Sequence, residues 1–475
     1  MNFDVLKNAL AAQPLLGGGK TWRLAPDAWT FPPELRAQLD ALGGAALAFY
    51  RALERLYLAS AAGTRILRNG DLRADWVAPL LNRGKPARLV AHQRSRALAG
   101  TLPPVIRPDL LICGDGFALT EFDSVPGGIG LTAFLGALYG AGTHMAELFF
   151  KAVSRGNAAA RVAVAVSDEA ADYRPEFEYL AAELRSRGFK IDVCHPRELE
   201  IFPENPSGKG APAAGTAGVF LRGARVDVVY RFFELFDLEN FPAADALMRA
   251  AERGSVAVLP PMRAFQEEKI SLALLHHPAL FAYWTEALGE ADFALLRALV
   301  PETWIVEPTE PRGLPASAVL LAPSVGGRPI REWSELARAP RRDRELVLKA
   351  SGFDANAWGA RSVTVGPDAS QSEWAAALAG ALDSARERDV LFVLQRFRKP
   401  ARLAHTIFDE NGKAVPAFGR VRICPYYFVV PAEEENAAGA RRERVVLGGA
   451  LCTFCPPDKK IIHGMRDAVL LPCVV

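Results

Sequence analysis

Between Arg107 and Ser124 the chain reads Arg-Pro-Asp-Leu-Leu-Ile-Cys-Gly-Asp-Gly-Phe-Ala-Leu-Thr-Glu-Phe-Asp-Ser, and this stretch limits the possible folds more than any other. Two apolar runs, 110–113 and 117–120, flank Gly114, Asp115 and Gly116, a turn signal between two strands. With the turn centred on Asp115, Asp109 lies opposite Glu121 and Arg107 opposite Asp123. Glu121 and Asp123 share a face because side chains alternate along a strand. Directly opposed like charges cost a strand pair roughly 0.2–1 kcal/mol, so three clustered carboxylates call for a reason. A hard divalent cation supplies one, since Mg²⁺ takes oxygen ligands, usually one or two protein carboxylates with water and phosphate oxygens. Arg107 alongside suits a phosphate oxygen. A solvated hairpin with ordinary surface acids is the alternative. Its apolar strands ask for burial on at least one face, and burial makes unpaired acids expensive.

The rest of the chain reads as mixed α/β. Leu35, Leu39, Leu42, Leu47, Tyr50, Leu53 and Tyr57 predict one helix over 34–62, followed by an irregular basic stretch over 65–96. Gly127, Gly128, Ile129 and Gly130 open an apolar helix expected to run to about 153. A strand over 161–166, a helix over 176–187 with Gly188 as its cap and a strand over 190–194 form a βαβ-like unit of Rossmann type. No GxGxxG follows the first strand, so no dinucleotide site is expected there. A strand over 226–230, a helix over 241–252 and a strand over 255–259 come next; 205–218, rich in Pro and Gly, reads as a loop or disordered insert. Helices are expected over 266–275 and 279–288, with a further segment over 291–299. A Pro- and Gly-rich stretch over 307–328 precedes a final region with strands near 345–349, 391–396, 402–408, 419–428 and 444–451.

Length and composition bound the class. At 475 residues the chain is too long for one ordinary domain. Half of it is hydrophobic, 23% is charged and the formal net charge is +2, which gives no support for a nucleic-acid surface or a polybasic membrane patch. The N-terminus lacks the charged-then-apolar order of a signal peptide, and the apolar run over 43–62 is interrupted by Arg51, Glu54 and Arg55. Six scattered cysteines are too sparse for a disulfide framework and fit a reducing cytoplasm. Cys452 and Cys455 have CxxC spacing with His463 nearby, but no second CxxC completes four zinc ligands.

Other segments carry parts that a nucleotide needs. Lys349 ends an apolar run and leads into a loop of small residues reaching Arg361, so a point charge adjoins backbone amides able to cover phosphates. Lys269 opens a helix after a strand. Gln395, Arg396 and Phe397 end another apolar run whose backbone can meet adenine, although a plain sheet strand explains it equally well. Arg420 and Arg422 alternate toward one strand face. Arg231 is either a carboxylate binder or a buried structural arginine.

In this order the segments resemble the circularly permuted ATP-grasp ligases, especially the synthetase domain of glutathionylspermidine synthase. In that family an Arg-x-Asp strand and a Glu-x-Asn strand hold Mg²⁺; Arg107, Asp109, Glu121 and Asp123 match, with Asp123 in place of Asn. Lys269 and Lys349 fall where the family's two ATP-contacting lysines stand, with Ala350 where the family has Pro, and the phosphate loop matches loosely around Arg361. The likeness spans roughly 105–475. It implies an α/β fold: a permuted ATP-grasp core formed by an N-terminal helical region plus metal hairpin (1–155) and a nucleotide-binding region (263–475), with a Rossmann-like pre-ATP-grasp unit (156–262). It further implies ATP and Mg²⁺ as cofactors and a ligase joining small-molecule carboxylic acid and amine substrates through an acyl-phosphate. Asp109, Glu121 and Asp123 would hold the metal, Arg107 and Arg361 would stabilise the transferring charge, and Lys269, Lys349, Gln395, Arg396 and Phe397 would hold the nucleotide. An ATP-grasp phosphotransferase and a non-catalytic ATP-binding relic are the rival readings. No membrane or nucleic-acid partner is expected, and the location expected is cytoplasmic.

Overall fold

The computed structural model describes residues 1–13, 22–202, 217–308, 323–357, 361–435, 441–459, 461–462 and 467–474. Helix α1 (Phe3–Ala12) starts at Asn2, whose side chain accepts the Asp4 N–H. The long helix α2 (Pro33–Ala61) follows, with Pro at its first turn where a missing N–H costs nothing. Leu35, Leu39, Leu42, Leu53 and Tyr57 are all buried along one side of it. Strands β1 (Val105–Cys113) and β2 (Gly116–Asp123) form the expected hairpin, with Asp109 opposite Glu121 and Arg107 opposite Asp123. The route to that register differs from the expected one. The turn is a two-residue connection at Gly114 and Asp115, which pairs Leu110 with Leu119. Thr120 then bulges out of β2 and shifts the outer pairs by one position. Without the bulge Asp109 would face Thr120, and the two carboxylates would not oppose each other.

The helix expected to run to 153 is two helices, α3 (Ile129–Tyr139) and α4 (Met145–Val153). Gly140 at the end of α3 has φ 66°, a left-handed conformation that glycine adopts without the Cβ penalty and that stops a helix. Strand β3 (Arg161–Val166), helix α5 (Arg174–Ser186) and strand β4 (Lys190–Cys194) form a strand–helix–strand unit with parallel pairing. The insert expected over 205–218 lies, up to 216, outside the described residues. Strand β5 (Val228–Phe232) and helix α6 (Ala244–Glu252) start later than their expected positions, and β6 (Ala257–Leu259) completes a parallel sheet ordered β6-β5-β3-β4. Val162, Val164 and Val166 share a core with Phe177, Leu180 and Leu184 of α5. Ala163 and Ala165 belong to another with Leu247 and Met248 of α6, so both sheet faces are covered.

Lys269 stands at the N-cap of helix α7 (Ile270–His276), and β7 (Thr303–Val306) follows after two further helices. Of the separator expected over 307–328, residues 309–322 lie outside the described residues. Strands β8 (Leu346–Ala350) and β9 (Thr364–Val365), helix α8 (Gln371–Glu387) and strand β10 (Phe392–Arg396) build an antiparallel sheet ordered β7-β10-β8-β9. Trp374, Leu378 and Ala381 of α8 pack with Leu346, Leu348 and Leu394. Strands β11 (Leu403–Phe408), β12 (Ala414–Glu435), β13 (Arg441–Cys455) and β14 (Val469–Val474) form the third sheet, in which β12 and β13 extend well beyond their expected limits. The β1–β2 hairpin docks against β12, with Leu111 opposite Arg422 and Ile106 opposite Tyr427. Helix α2 shares the main apolar core with this sheet.

Cys452 and Cys455 are both buried, three positions apart on β13 and therefore on opposite sheet faces, while His463 lies outside the described residues. Among the described residues no helix is long and apolar enough to cross a membrane.

Candidate functional site

The three sheets converge on one cavity of about 590 Å³. The hairpin contributes Arg107, Asp109, Glu121 and Asp123; the loops after β3 and β5 contribute Asp168, Tyr173 and Glu234; the antiparallel sheet contributes Lys349 and Gln395. The ten residues to which the resemblance gives a role all line it: Arg107, Asp109, Glu121, Asp123, Lys269, Lys349, Arg361, Gln395, Arg396 and Phe397. Of the other candidates, Arg422 lines it, and Arg231 and Arg420 are not among its lining residues.

Asp109, expected among the metal ligands, lies at the centre of an ion-pair network. Its Oδ1 receives Arg107 Nε at 3.1 Å and the Cys424 thiol at 3.4 Å, and its Oδ2 receives Arg422 at 3.0 Å. Only 3% of the residue is exposed. The Arg107 and Arg422 guanidinium groups hold its carboxyl below the usual range against the pull of burial. Arg107 also pairs with Asp123 at 2.8 Å and donates to the Gly127 carbonyl at 3.0 Å. Among the described residues no three His, Cys, Asp or Glu side chains form a group able to hold a metal ion. Glu121 and Asp123 do fit a cation that brings its remaining ligands along. Their side chains are about one-third exposed, at 32% and 31%, and burial together with Asp109 and Glu121 raises the Asp123 carboxyl, as expected where negative charge is incompletely neutralised.

Lys349 shows why the bulge matters. Its Nζ donates to the carbonyl of the bulged Thr120 at 2.7 Å and to Gln395 Oε1 at 3.1 Å, joining the hairpin to the antiparallel sheet. Burial pulls its ammonium down to about 8. Lys269 Nζ lies 3.4 Å from Glu121 and donates to the carbonyls of Ala357 at 2.9 Å and Ser351 at 3.3 Å, so the small-residue loop wraps it. Behind it, Glu268 pairs with the buried Lys85 and accepts from Ser351. Arg361, at the cavity edge, pairs with Glu169 at 3.1 Å. Gln395 is buried and also donates to Thr303 at 3.1 Å. The Arg396 N–H donates to Glu302 O and the Phe397 N–H to Glu345 O, so both amides in this stretch are used inside the protein. A base held here would meet carbonyls or side chains.

Arg231 is fully buried and structural, donating to the Phe233 and Pro260 carbonyls and pairing with Glu267. Arg420 donates to Lys459 O. Two lining residues lie outside the set read from the sequence, Glu234 and Glu267, whose carboxyls burial raises. A Glu two residues before a candidate lysine was the available signal for Glu267; Glu234 is placed by the end of β5 and had none.

Glu176 of α5 supports the site from below. Its carboxylate accepts the N–H groups of Gly128 at 2.6 Å and Leu131 at 3.0 Å, closing the N-terminus of α3 beside the hairpin. Complete burial still pushes it up to about 7. The native state therefore holds this proton more tightly than the unfolded chain does. The resulting stability is fully present below the unfolded value, near 4.5, and is lost as pH rises through about 7. The urea midpoint of the ligand-free protein is expected to fall between pH 5 and 7.5, and Glu176→Gln to flatten that fall. His92, His276 and His405, lowered by burial, act in the opposite sense over this range, so the comparison decides: a pH profile unchanged in Glu176→Gln would contradict the assignment.

No protein-family model matches the chain, and no curated protein matches it. Among solved structures it is similar to a glutathione synthetase-like effector from Globodera pallida in its apo form, with a TM-score of 0.54 and 14% identity, covering 99% of this chain and 95% of that one. At this identity the likeness shows a shared fold. A Methylobacillus flagellatus KT protein described provisionally as a gamma-glutamylcysteine synthetase aligns at a TM-score of 0.39 and 12% identity over 80% of this chain and 81% of its own, too distant to carry an argument.

Proposed function

We propose that this chain is an ATP-dependent ligase of the ATP-grasp type, joining a carboxylic acid to an amine through an acyl-phosphate. The observation that carries the reading is the meeting of Glu121, Asp123 and Arg107 with Lys269 and Lys349 in one cavity, although they come from distant parts of the chain. The fold shared with a synthetase-like protein supports it. In this reading 1–155 and 263–475 together make a permuted ATP-grasp core, and 156–262 is its Rossmann-like partner.

Lys349 and Lys269 face the nucleotide phosphates and balance their charge, while the loop after β8 excludes water from them. Gln395, Arg396 and Phe397 border the base. Arg107 and Arg422, fixed by Asp109, present guanidinium groups to the carboxylate substrate and to the phosphoryl group it receives, with Arg361 at the outer edge. Mg²⁺, held by Glu121 and Asp123, supplies neutralisation of the phosphate oxygens when bound. The chain then acts mainly by positioning and fixed charge. One observation favours a second reading, ATP binding without turnover: both oxygens of Asp109 and both of Asp123 are already engaged by protein donors, so a cation would have to compete with groups in place.

ADP release from MgATP, measured against pooled amino acids, small peptides and polyamines, separates these readings. We expect library-dependent release in the wild type and a loss of about 100-fold or more in Glu121→Ala. ATP binding with no turnover on any pool favours the second reading, and phosphorylated product formed without an amine would identify a phosphotransferase. Failure to bind MgATP would overturn the proposal.

A further inference from the structure

The parallel sheet changes direction of growth between β3 and β5. From β3 the chain runs outward to β4 and then returns past β3 to β5, giving the order β6-β5-β3-β4. Connections that leave neighbouring strands in opposite directions open a crevice outside their carboxyl ends, where sheets of this kind bind ligands. A pocket of about 180 Å³ lies there, lined by Ser167 and Asp168 after β3, His195 and Arg197 after β4, and Phe233 and Asp237 after β5. Asp168 and Glu169 line both this pocket and the main cavity, so the two adjoin.

The lining carries groups with unused capacity. Ser167 is only 7% exposed, and its Oγ is buried without a hydrogen-bond partner among the described residues. Among the described residues the Asp168 carboxylate, 81% exposed, has long contacts, 3.5 Å to His195 Nε2 and 3.9 Å to Arg197. His195 Nδ1 accepts the Arg197 N–H at 3.1 Å, which fixes Nε2 as the nitrogen on the Asp168 side. Asp237 accepts from Asn240 through Oδ1 at 2.6 Å. Both signs of charge are therefore present. An anion alone would oppose Asp168 and Asp237, and a cation alone would oppose Arg197.

We propose that this pocket binds a free amino-acid head group. Its ammonium lies against Asp168 and Asp237, and its carboxylate against Arg197 and His195. The head group is the far end of a molecule whose reacting group lies in the main cavity; naming that molecule a substrate rests on the ligase reading.

The test is equilibrium binding of a pool of the twenty L-amino acids, followed by N-acetyl and carboxamide forms of each binder, with and without a non-hydrolysable MgATP analogue. At least one free amino acid is expected to bind, each blocked form at least tenfold more weakly. Arg197→Ala, a change at an exposed side chain, is expected to weaken binding tenfold or more with an unchanged thermal midpoint, and Asp237→Asn to weaken it also. Absence of binding under both conditions, equal binding of blocked forms, or indifference to Arg197→Ala would overturn the proposal. The readout needs no turnover, so a failed ligase assay would leave it standing, and active ligase with no such binding would remove it alone.

Discussion

Replacing Lys349 with methionine is expected to lower kcat/KM for MgATP by about 10²–10³-fold, the usual loss when one fixed positive or hydrogen-bonding group is removed from a transferring oxyanion. Methionine keeps the apolar stem in its slot between the hairpin and the antiparallel sheet. It leaves the Thr120 carbonyl and Gln395 Oε1 without their shared donor, at a cost of about 1–3 kcal/mol in stability. A thermal midpoint beside the kinetics separates this cost from the catalytic one. The ammonium value of about 8 adds a pH signature. Between about 8 and its unfolded value near 10.5 the unfolded chain binds more protons than the native one, so stability attributable to this lysine rises with pH there. Nucleotide affinity should run the other way, weakening above pH 8 as the charge that attracts phosphate is lost. Titrations of MgATP binding from pH 6.5 to 9.5 should show that decline in the wild type and a flat profile in Lys349→Met. A wild-type affinity independent of pH would remove Lys349 from the phosphate site.

Gly130→Ala is expected to destabilise the fold by about 3 kcal/mol, near the upper end of the usual cost of overpacking. Helix propensity alone predicts the opposite, since alanine in a helix interior is favoured over glycine by about 1 kcal/mol. The contact decides the sign. A Cβ at Gly130 would stand 2.1 Å from the Glu176 carbonyl oxygen, and that oxygen is backbone, so α3 and α5 would have to separate. Separation would also pull Glu176 away from the amides of Gly128 and Leu131. Gly380→Ala is the matched control: it lies within α8 with nothing inside 4 Å of an added Cβ, and a gain of about 0.5–1 kcal/mol is expected. Urea unfolding of both variants checks the pair, and equal effects would mean that propensity rather than packing governs Gly130.

Much of the fold was legible because local periodicity reports it. Helix α2, the β3–α5–β4 unit and strands β8 and β10 appear close to where spacing and apolar runs placed them. One helix was legible and missed: α8 carries the Ser370–Glu373 capping box followed by Trp374, Leu378 and Ala381 at helical spacing. The break between α3 and α4 was marked by Gly140 and Gly142, both left-handed, within a run whose apolarity masked it. The full lengths of β12 and β13 were not visible, because strands in the middle of a sheet draw their continuity from neighbours on both sides rather than from their own pattern.

For the site, residue chemistry and strand alternation were enough to select the charged groups, but the opposition of Asp109 with Glu121 came from the bulge at Thr120 and not from the turn. Only the folded chain decided which of those charges meet. Arg422 arrives on Asp109 because β12 pairs with β1, so an expected metal ligand also meets two guanidinium groups. Lys349 reaches Thr120 because a bulge of one residue turns that carbonyl toward it. The physical reason is range. Periodicity and turn chemistry act over a few residues and are written along the chain, whereas ion pairing and burial depend on distances that exist only once separate sheets have packed.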